Sequence, residues 1–390
     1  MDLKQLETRF MEVFNKYEGQ VKMFFSPGRV NLIGEHIDYN GGFVFPAAIT
    51  FGTYAAVGLR SDGKVGVYSS NFIEDGVIEF ELSNLERCAN ESWSVYVKGV
   101  IDVFIKAGYD VKQGFNAYID TTLPKGVGGL STSASLELLI SQILDDLNGL
   151  KIDMIEKVKL AQKAENEYVG VNCGIMDQFA VGMGKKDHAI KLNTNDLSYE
   201  YAICDLQDYR ILIMNTNKKR ELADSKYNER REECDKALAC LQEKADIAYL
   251  CDLTPTKFDQ IADVLIEETL YKRAKHAVYE NERVKLAIDA LEQGDLVEFG
   301  KLLNRSHASL RDDYEVTGEE LDTIVALAWE QEGVLGARMT GAGFGGCAIA
   351  IVHQDKLQSV QEAIAKGYKN TLGYDASFYV ATIGDGTRIL

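Results

Sequence analysis

What the chain lacks narrows the field before any motif is read. Its seven cysteines (Cys88, Cys173, Cys204, Cys234, Cys240, Cys251 and Cys347) are an odd number, scattered, with no C-x-x-C pair. That pattern speaks against a disulfide framework or a zinc site and for reduced thiols of the cytosol. The five histidines lie far apart and make no H-x₃-H pattern. No apolar run approaches the about 20 residues of a membrane-crossing helix. The N-terminus carries acids early, at Asp2 and Glu7, and has no apolar core, so it does not read as a signal peptide. A basic face is missing too. With 42 Lys+Arg against 60 Asp+Glu the formal charge is −18, which argues against a nucleic-acid partner but permits a small anion in a locally positive site. Internal repeats and low-complexity segments are absent. The expectation is a soluble, cytoplasmic protein with no membrane and no nucleic-acid partner.

What is present fits a soluble globular protein of ordinary composition, 46% apolar and 26% charged. At 390 residues the chain exceeds what one hydrophobic core usually covers, so two domains are expected, residues 1–195 and 196–390. The stretch Leu123-Pro-Lys-Gly-Val-Gly-Gly-Leu-Ser-Thr-Ser-Ala-Ser-Leu-Glu137 stands out. A strand-like segment, 115–122, precedes it. After it, Leu136, Leu138, Leu139, Ile140, Ile143, Leu144 and Leu147 recur at helical spacing. A glycine-rich turn opening a helix gathers unpaired N–H groups and the positive end of the dipole, so it suits an anion. Ser131, Thr132, Ser133 and Ser135 can cap the helix, hold phosphate oxygens or bind magnesium. The alternative is a plain strand-to-helix turn with Ser/Thr capping. No Gly-Lys-Ser/Thr closes the loop, so a nucleotide here would need its phosphates neutralised by a metal and by residues from elsewhere.

Three further stretches carry polar chemistry. In Met23 to Gly42, Arg29, Glu35, His36 and Asp38 fall within ten residues, a donor and acceptor set suited to a polyhydroxylated ligand or, alternatively, to a salt-bridged hairpin surface. Asp177, between Met176 and Phe179, must be paired if buried, which makes it the leading general-base candidate; a helix-capping aspartate is the other reading. The second glycine run, Gly336 to Val352, leads into a strand of buried character and suggests a cleft with bare backbone on both sides. Trp93, at the start of a helix over 93–105, is read either as core or as a surface for stacking a base. The charged stretch from Lys218 to Lys236 opens a long helix whose charge reads as a solvated face, with Tyr227 the residue able to reach a ligand.

Taken together, these segments carry a family likeness. Pro27-Gly-Arg-Val-Asn-Leu-Ile-Gly-Glu-His-Ile-Asp-Tyr-Asn-Gly-Gly42 resembles the galactokinase signature. The loop from Gly126 to Ser135 resembles the phosphate-binding motif of the GHMP kinases, and Arg338 to Cys347 resembles their third motif. Asn172 to Phe179 and Ser306 to Glu315 are also galactokinase-like. The resemblance implies an α+β, two-domain fold: an N-terminal domain like ribosomal protein S5 domain 2, a ferredoxin-like C-terminal domain, and ATP between them. It implies ATP and Mg²⁺ as cofactors, D-galactose as substrate and a monomer. It also implies roles. Asp177 would take the proton of the sugar's C1 hydroxyl, and Arg29 would hold Asp177 in its charged form and balance the moving phosphoryl group. Glu35, His36, Asp38, Gly174 and Tyr227 would bind sugar hydroxyls. Gly126, Val127, Gly128, Gly129, Leu130, Ser131, Thr132 and Ser133 would cradle the phosphates, Ser133 and Glu165 would ligate magnesium, and Trp93 would border the adenine. The family pattern Pro-x-Gly-x-Gly-Leu-Ser-Ser-Ser-Ala-Ser has one glycine fewer and a serine at Thr132, so a bulged phosphate loop is expected here. The alternatives are a kinase for N-acetylgalactosamine or arabinose, and a sugar- and ATP-binding sensor without catalysis. The sensor-type relatives lose residues of the Ser-Ala pair that Ser133 and Ala134 supply here.

Overall fold

A computed structural model describes residues 1–15, 17–88, 91–124, 129–218 and 223–390. Helix α1 (Leu3–Val13) is capped by Asp2, whose carboxylate accepts from the Lys4 N–H at 3.0 Å, and it buries Leu6 and Phe10. Leu3, in the first turn, is 38% exposed, because only the later turns reach the sheet. Strands β1 (Val21–Asn31), β2 (Phe43–Val44), β3 (Pro46–Arg60), β4 (Lys64–Ser69) and β5 (Ile78–Glu81) follow, then α2 (Ser94–Lys106), β6 (Gly114–Thr121) and α3 (Thr132–Asn148). Next come α4 (Met154–Lys163), α5 (Met176–Met183) and the hairpin of β7 (His188–Asn193) with β8 (Tyr199–Ile203). After Lys163 α4 widens into a π-helical turn over Ala164–Val169, which rotates Glu165 out of the α register.

The rest comprises β9 (Tyr209–Asn215), α6 (Ala223–Leu241), α7 (Pro255–Ile261), α8 (Glu268–Glu292), α9 (Leu296–Asp312) and α10 (Gly318–Trp329). It closes with β10 (Val334–Thr340), β11 (Cys347–His353), α11 (Leu357–Leu372), β12 (Ser377–Ala381) and β13 (Arg388–Ile389). Among the described residues three sheets form. The first has the order β13-β1-β3-β6-β4-β5, all antiparallel pairs except β4 with β6, and it takes the chain's last strand onto β1. The second, β10-β11-β9-β12, is antiparallel throughout, and the third is β2-β7-β8. The fold is thus α+β. Residue 195 lies in the turn between β7 and β8.

Two features hold the halves together. The largest buried cluster mixes Val30, Leu32 and Val44 of the first half with Val284, Leu310 and Met339 of the second. Burial of this kind contributes about 25 cal/mol per Å² of apolar surface. Across the same seam, Arg338 of β10, fully buried, donates to the carbonyls of Asn31 (3.3 Å) and Leu32 (3.0 Å). Thr340 Oγ1 donates to the Asn31 carbonyl at 3.1 Å and accepts from its N–H at 2.9 Å. The end of β1 and the second glycine loop are thereby fixed edge to edge.

Candidate active site

At that seam a cavity of about 230 Å³ gathers residues from seven segments. The signature stretch supplies Arg29, Glu35, His36 and Asp38; the first glycine turn supplies Gly129, Ser131, Thr132 and Ser133. Glu165, Gly174, Asp177 and Tyr227 complete the wall, with Gly341 and Ala342 opposite. Gly126, Val127 and Gly128 lie outside the described residues. Leu130 does not face the cavity: its side chain is buried in the core, and its carbonyl accepts from the Arg29 N–H at 3.2 Å.

Arg29 is the centre of the charge arrangement. Its Nε donates to Asp177 Oδ1 at 2.8 Å, Nη2 lies 2.6 Å from the same oxygen, and Nη1 donates to the Gly129 carbonyl at 2.6 Å. Side-on contacts to a carboxylate are the stronger class of hydrogen bond. Asp177 stands in the first turn of α5 but does not cap it; Ile175 is the N-cap. Its side chain is 30% exposed, to the cavity. The aspartate is therefore paired on one side and open on the other.

The sugar-signature residues are held from behind by the second half of the chain. Glu280 of α8 accepts from the Gly34 N–H at 3.0 Å, and His276 Nε2 lies 3.1 Å from the Glu35 carbonyl. Glu35 has both carboxylate oxygens engaged: Oε1 accepts from the Gly341 N–H at 3.0 Å, and Oε2 accepts from Asn31 Nδ2 at 2.8 Å and pairs with Arg338. It joins the signature to the second glycine loop while lining the cavity. His36 adopts a left-handed backbone, φ +63, uncommon outside glycine. Its Nδ1 lies 2.8 Å from the Tyr39 hydroxyl and its Nε2 lies 3.2 Å from the Ala342 carbonyl. A carbonyl only accepts, so Nε2 carries the proton and Tyr39 donates to Nδ1. Burial, with His276 nearby, pushes His36 down to about 3, so the ring is neutral. Asp38 is half-buried on the cavity wall; its loss of solvent and the neighbouring Asp177 push it up to about 6, against the Met176 N–H that it accepts from at 3.3 Å. Gly174 lies flat against it: a Cβ there would stand 2.0 Å from Asp38 Oδ2. The Tyr227 ring lies 5.3 Å from His36 and 5.6 Å from Tyr39.

The hydroxyl run opens α3. Ser131 is the N-cap residue in a left-handed conformation, φ +56, with no side-chain capping bond. Its Oγ is buried without a partner among the described residues. Ser135, in contrast, is committed to the Ser26 carbonyl and Thr53 Oγ1, both at 2.8 Å. The two glycine loops press on each other: Gly129 (φ +98) and Gly341 (φ +83) are so close that a Cβ on Gly341 would stand 2.7 Å from the Gly129 Cα. Bare backbone at these two positions serves contact between the loops as well as any ligand.

Trp93 is not in this cavity. It lines a neighbouring one of about 390 Å³, with Asn71, Phe72, Leu123 and Pro124. The two cavities share Tyr96, Thr132 and Ser133. Phe72 stacks on Trp93 at 6.1 Å and 14°. Asn71 Oδ1 and Trp93 Nε1 are buried without partners among the described residues, one acceptor and one donor beside an apolar slot.

Behind Ser133 the expected Glu165 is joined by a second acid, Glu137, that the sequence did not single out. Glu165 accepts from Gln178 Nε2 at 2.6 Å and from the Ser133 hydroxyl, and burial together with Asp177 pushes it up to about 7. Glu137, one turn after Ser133 on α3, accepts from the same Gln178 nitrogen at 3.0 Å and is fully buried. Burial and Glu165 push Glu137 well above the usual carboxylate range. The signal in the sequence was the i, i+4 spacing of Ser133 and Glu137. Asn71, Phe72 and Tyr96, from strand ends and a helix flank, gave no such signal.

Among known proteins, the chain matches the galactokinase galactose-binding signature over residues 8–59, the GHMP kinases N terminal domain over 95–185 and GHMP kinases C terminal over 287–370. It is 54% identical over 385 residues to a galactokinase of Fusobacterium nucleatum, with 98% of each chain covered. To that of Ligilactobacillus salivarius it is 53% identical over 390 residues, with both chains covered completely. The structure of Lactococcus lactis galactokinase complexed with galactose superposes with a TM-score of 0.97 at 54% identity over the full length of both chains. A mevalonate kinase, 18% identical with a TM-score of 0.63 over 94% of this chain, shares the fold.

Proposed function

The chain belongs to the galactokinases, a branch of the GHMP kinases, and on that premise we propose that it transfers the γ-phosphoryl group of ATP to the C1 hydroxyl of D-galactose, giving galactose 1-phosphate and ADP. One observation carries the reading. The open face of the Asp177–Arg29 pair looks into a cavity with the signature residues on one wall and Thr132 and Ser133 on the other, and those two residues also line the Trp93 cavity. Sugar on one side and nucleotide on the other would meet at the hydroxyl run.

Phosphoryl transfer asks little covalent chemistry of a protein and much alignment and charge neutralisation. Asp177 accepts the proton of the C1 hydroxyl, its help growing as that oxygen bonds to phosphorus. Arg29 fixes the carboxylate from one side, keeps the Gly129 carbonyl turned toward itself and offsets negative charge on the transferring group. Asp38, Glu35, His36, Gly174 and Tyr227 form the galactose wall. Asp38 accepts from sugar hydroxyls, while neutral His36 is oriented by Tyr39. The Gly126–Ser133 segment and the first turn of α3 receive the phosphates. Trp93, with Phe72 behind it, borders the adenine.

Ser133 and Glu165 suit magnesium. They pair a hydroxyl with a buried carboxylate that has no cationic side chain within ion-pair distance among the described residues, an oxygen set normal for so hard an ion. When bound, the ion supplies charge neutralisation at the β- and γ-phosphates. A division into residues 1–195 and 196–390, a monomeric state and a cytoplasmic location complete the proposal. Among the described residues no helix is long and apolar enough to cross a membrane.

The test is incubation of the protein with Mg·ATP and a panel of D-galactose, N-acetylgalactosamine and arabinose, followed by ³¹P NMR. A new sugar 1-phosphate signal with galactose supports the reading. Preference for another sugar reassigns the substrate, and saturable binding of ATP and galactose without product favours a sensor.

A further inference from the structure

We infer that Tyr314 is a positioning residue of the galactose wall: its hydroxyl keeps Tyr39 a donor and so holds His36 in the tautomer that turns an N–H toward the second glycine loop. The inference rests on the assignment of His36 to the sugar wall.

The contacts form one line through the protein. His36 Nδ1 lies 2.8 Å from the Tyr39 hydroxyl, which lies 2.8 Å from the Tyr314 hydroxyl, which in turn lies 3.0 Å from Cys234 Sγ. At the other end His36 Nε2 lies 3.2 Å from the Ala342 carbonyl. A carbonyl has no hydrogen to give, and that fixes every proton on the line. His36 Nε2–H donates to Ala342, so Nδ1 accepts from Tyr39, Tyr39 accepts from Tyr314, and Tyr314 accepts from the Cys234 thiol. Such an order needs all four side chains neutral. Burial keeps them so: it pushes His36 down to about 3, both tyrosines well above their usual range and Cys234 up to about 11.

Packing alone does not call for this chemistry. Tyr314 is fully buried, its ring 4.8 Å from His36 and 4.5 Å from His276, and phenylalanine would fill that space without burying a hydroxyl. The residue is also firmly placed. Arg230 Nε donates to its carbonyl at 2.9 Å, and two residues on, the Val316 carbonyl accepts from the Phe344 N–H at 2.7 Å. Cys234 stands two helical turns beyond Tyr227 on α6, so one helix face brings Tyr227 to His36 and the thiol to Tyr314. In the other tautomer a bare Nε2 would face the Ala342 carbonyl, lone pair against lone pair. The loop that presses on Gly129 would then lose one of its ties to the signature. His36 needs such support, because its backbone is left-handed, φ +63.

The test begins with protein labelled with ¹⁵N-histidine, in which a His36→Gln variant identifies the His36 signals among the five histidines. Long-range ¹H–¹⁵N spectra near neutral pH, without ligand, show which ring nitrogen carries the proton. The parent should show His36 with the proton on Nε2; a proton on Nδ1 overturns the inference, and this measurement decides even if the variants fail to fold. Tyr314→Phe frees Tyr39 to accept from His36, so the second tautomer should appear. Galactose Kd by calorimetry should rise about 3- to 10-fold, the weight of one hydrogen bond, with ATP KM within about twofold. A Tyr314→Phe protein with the parent's spectrum, or with an unchanged galactose Kd, overturns the inference. Tyr39→Phe closes the cycle: if Tyr314 acts through Tyr39, adding Tyr314→Phe to it costs nothing further, whereas additive losses show a packing role and overturn the inference. A parent that fails to bind galactose brings down the premise instead, while the ligand-free spectra still decide the order of the line.

Discussion

Replacing Gly174 by alanine places one methyl group where the structure has a carboxylate. The new Cβ would stand 2.0 Å from Asp38 Oδ2 and 2.2 Å from its Cγ, well inside contact distance. The backbone cannot yield easily. Cys173 N–H donates to the Val171 carbonyl at 2.8 Å, and Arg231 Nη1 donates to the Asn172 carbonyl at 2.7 Å. Asp38 must therefore move, and moving it breaks the bond from the Met176 N–H and presses a half-buried acid against its neighbours. A hydrogen bond to a charged group is worth about 1.5–3 kcal/mol. With some strain relieved by rotation, a loss of about 2–3 kcal/mol in galactose binding follows, roughly 30- to 150-fold at tenfold per 1.4 kcal/mol. The assay is galactose Kd by calorimetry together with steady-state KM for each substrate. Galactose KM should rise steeply and ATP KM hold within about threefold, since Gly174 lines the first cavity and not the one beside Trp93. A Gly174→Ala variant that binds galactose like its parent, at unchanged melting temperature, would refute both the contact and the assignment of Asp38 to the sugar wall.

Asp177→Asn should reduce kcat by at least ~10²-fold, the usual scale for a positioned base, with galactose still bound; near-parental turnover in a coupled assay would remove Asp177 from that role. Gly129→Ala adds a Cβ 2.8 Å from the Thr340 carbonyl at a backbone φ of +98, so ATP KM should rise about tenfold as the hydroxyl run shifts, and an unchanged value would count against a phosphate site there. Asp38→Asn carries a pH signature: a carboxyl raised from 3.8 to about 6 favours the fold fully below 3.8 and loses that contribution as pH rises through about 6. The ligand-free asparagine variant should thus melt a few degrees above its parent at pH 8, with the gap shrinking toward pH 4, while losing galactose affinity; a gap independent of pH would refute the buried charge.

What could be read from the sequence was what neighbours along the chain decide. Leu139, Ile140, Ile143 and Leu144 declare one buried face of α3 by spacing alone, and three glycines with three hydroxyls mark its N-terminus as a place for an anion. Asp177 stood out because an acid between Met176 and Phe179 demands a partner, though only the fold shows the Arg29 fork 148 positions away. Where the deciding group is distant, the pattern misleads. Glu137 looks like an ordinary exposed position in an amphipathic helix until Gln178, 41 residues on, meets its carboxylate. Trp93 offered core or base-stacking, and it is the cavity assembled from Thr53 in β3 and the strand ends at Ser69 and Thr121 that gives its flank an open side. The glycines of the two loops read as room for a ligand, yet Gly129 and Gly341 are also required by each other. The helix α8 makes the same point most sharply. Periodicity can say that Ala274, Ala277, Val284 and Ile288 are buried, but nothing local says that Glu280 answers the N–H of Gly34 or that His276 meets the carbonyl of Glu35, 246 and 241 residues earlier. A signature loop with a left-handed histidine is a strained, polar stretch that cannot hold its own shape. Its geometry is therefore a property of both halves of the chain, and the sugar wall should loosen when either half is perturbed, even at residues that never touch the sugar.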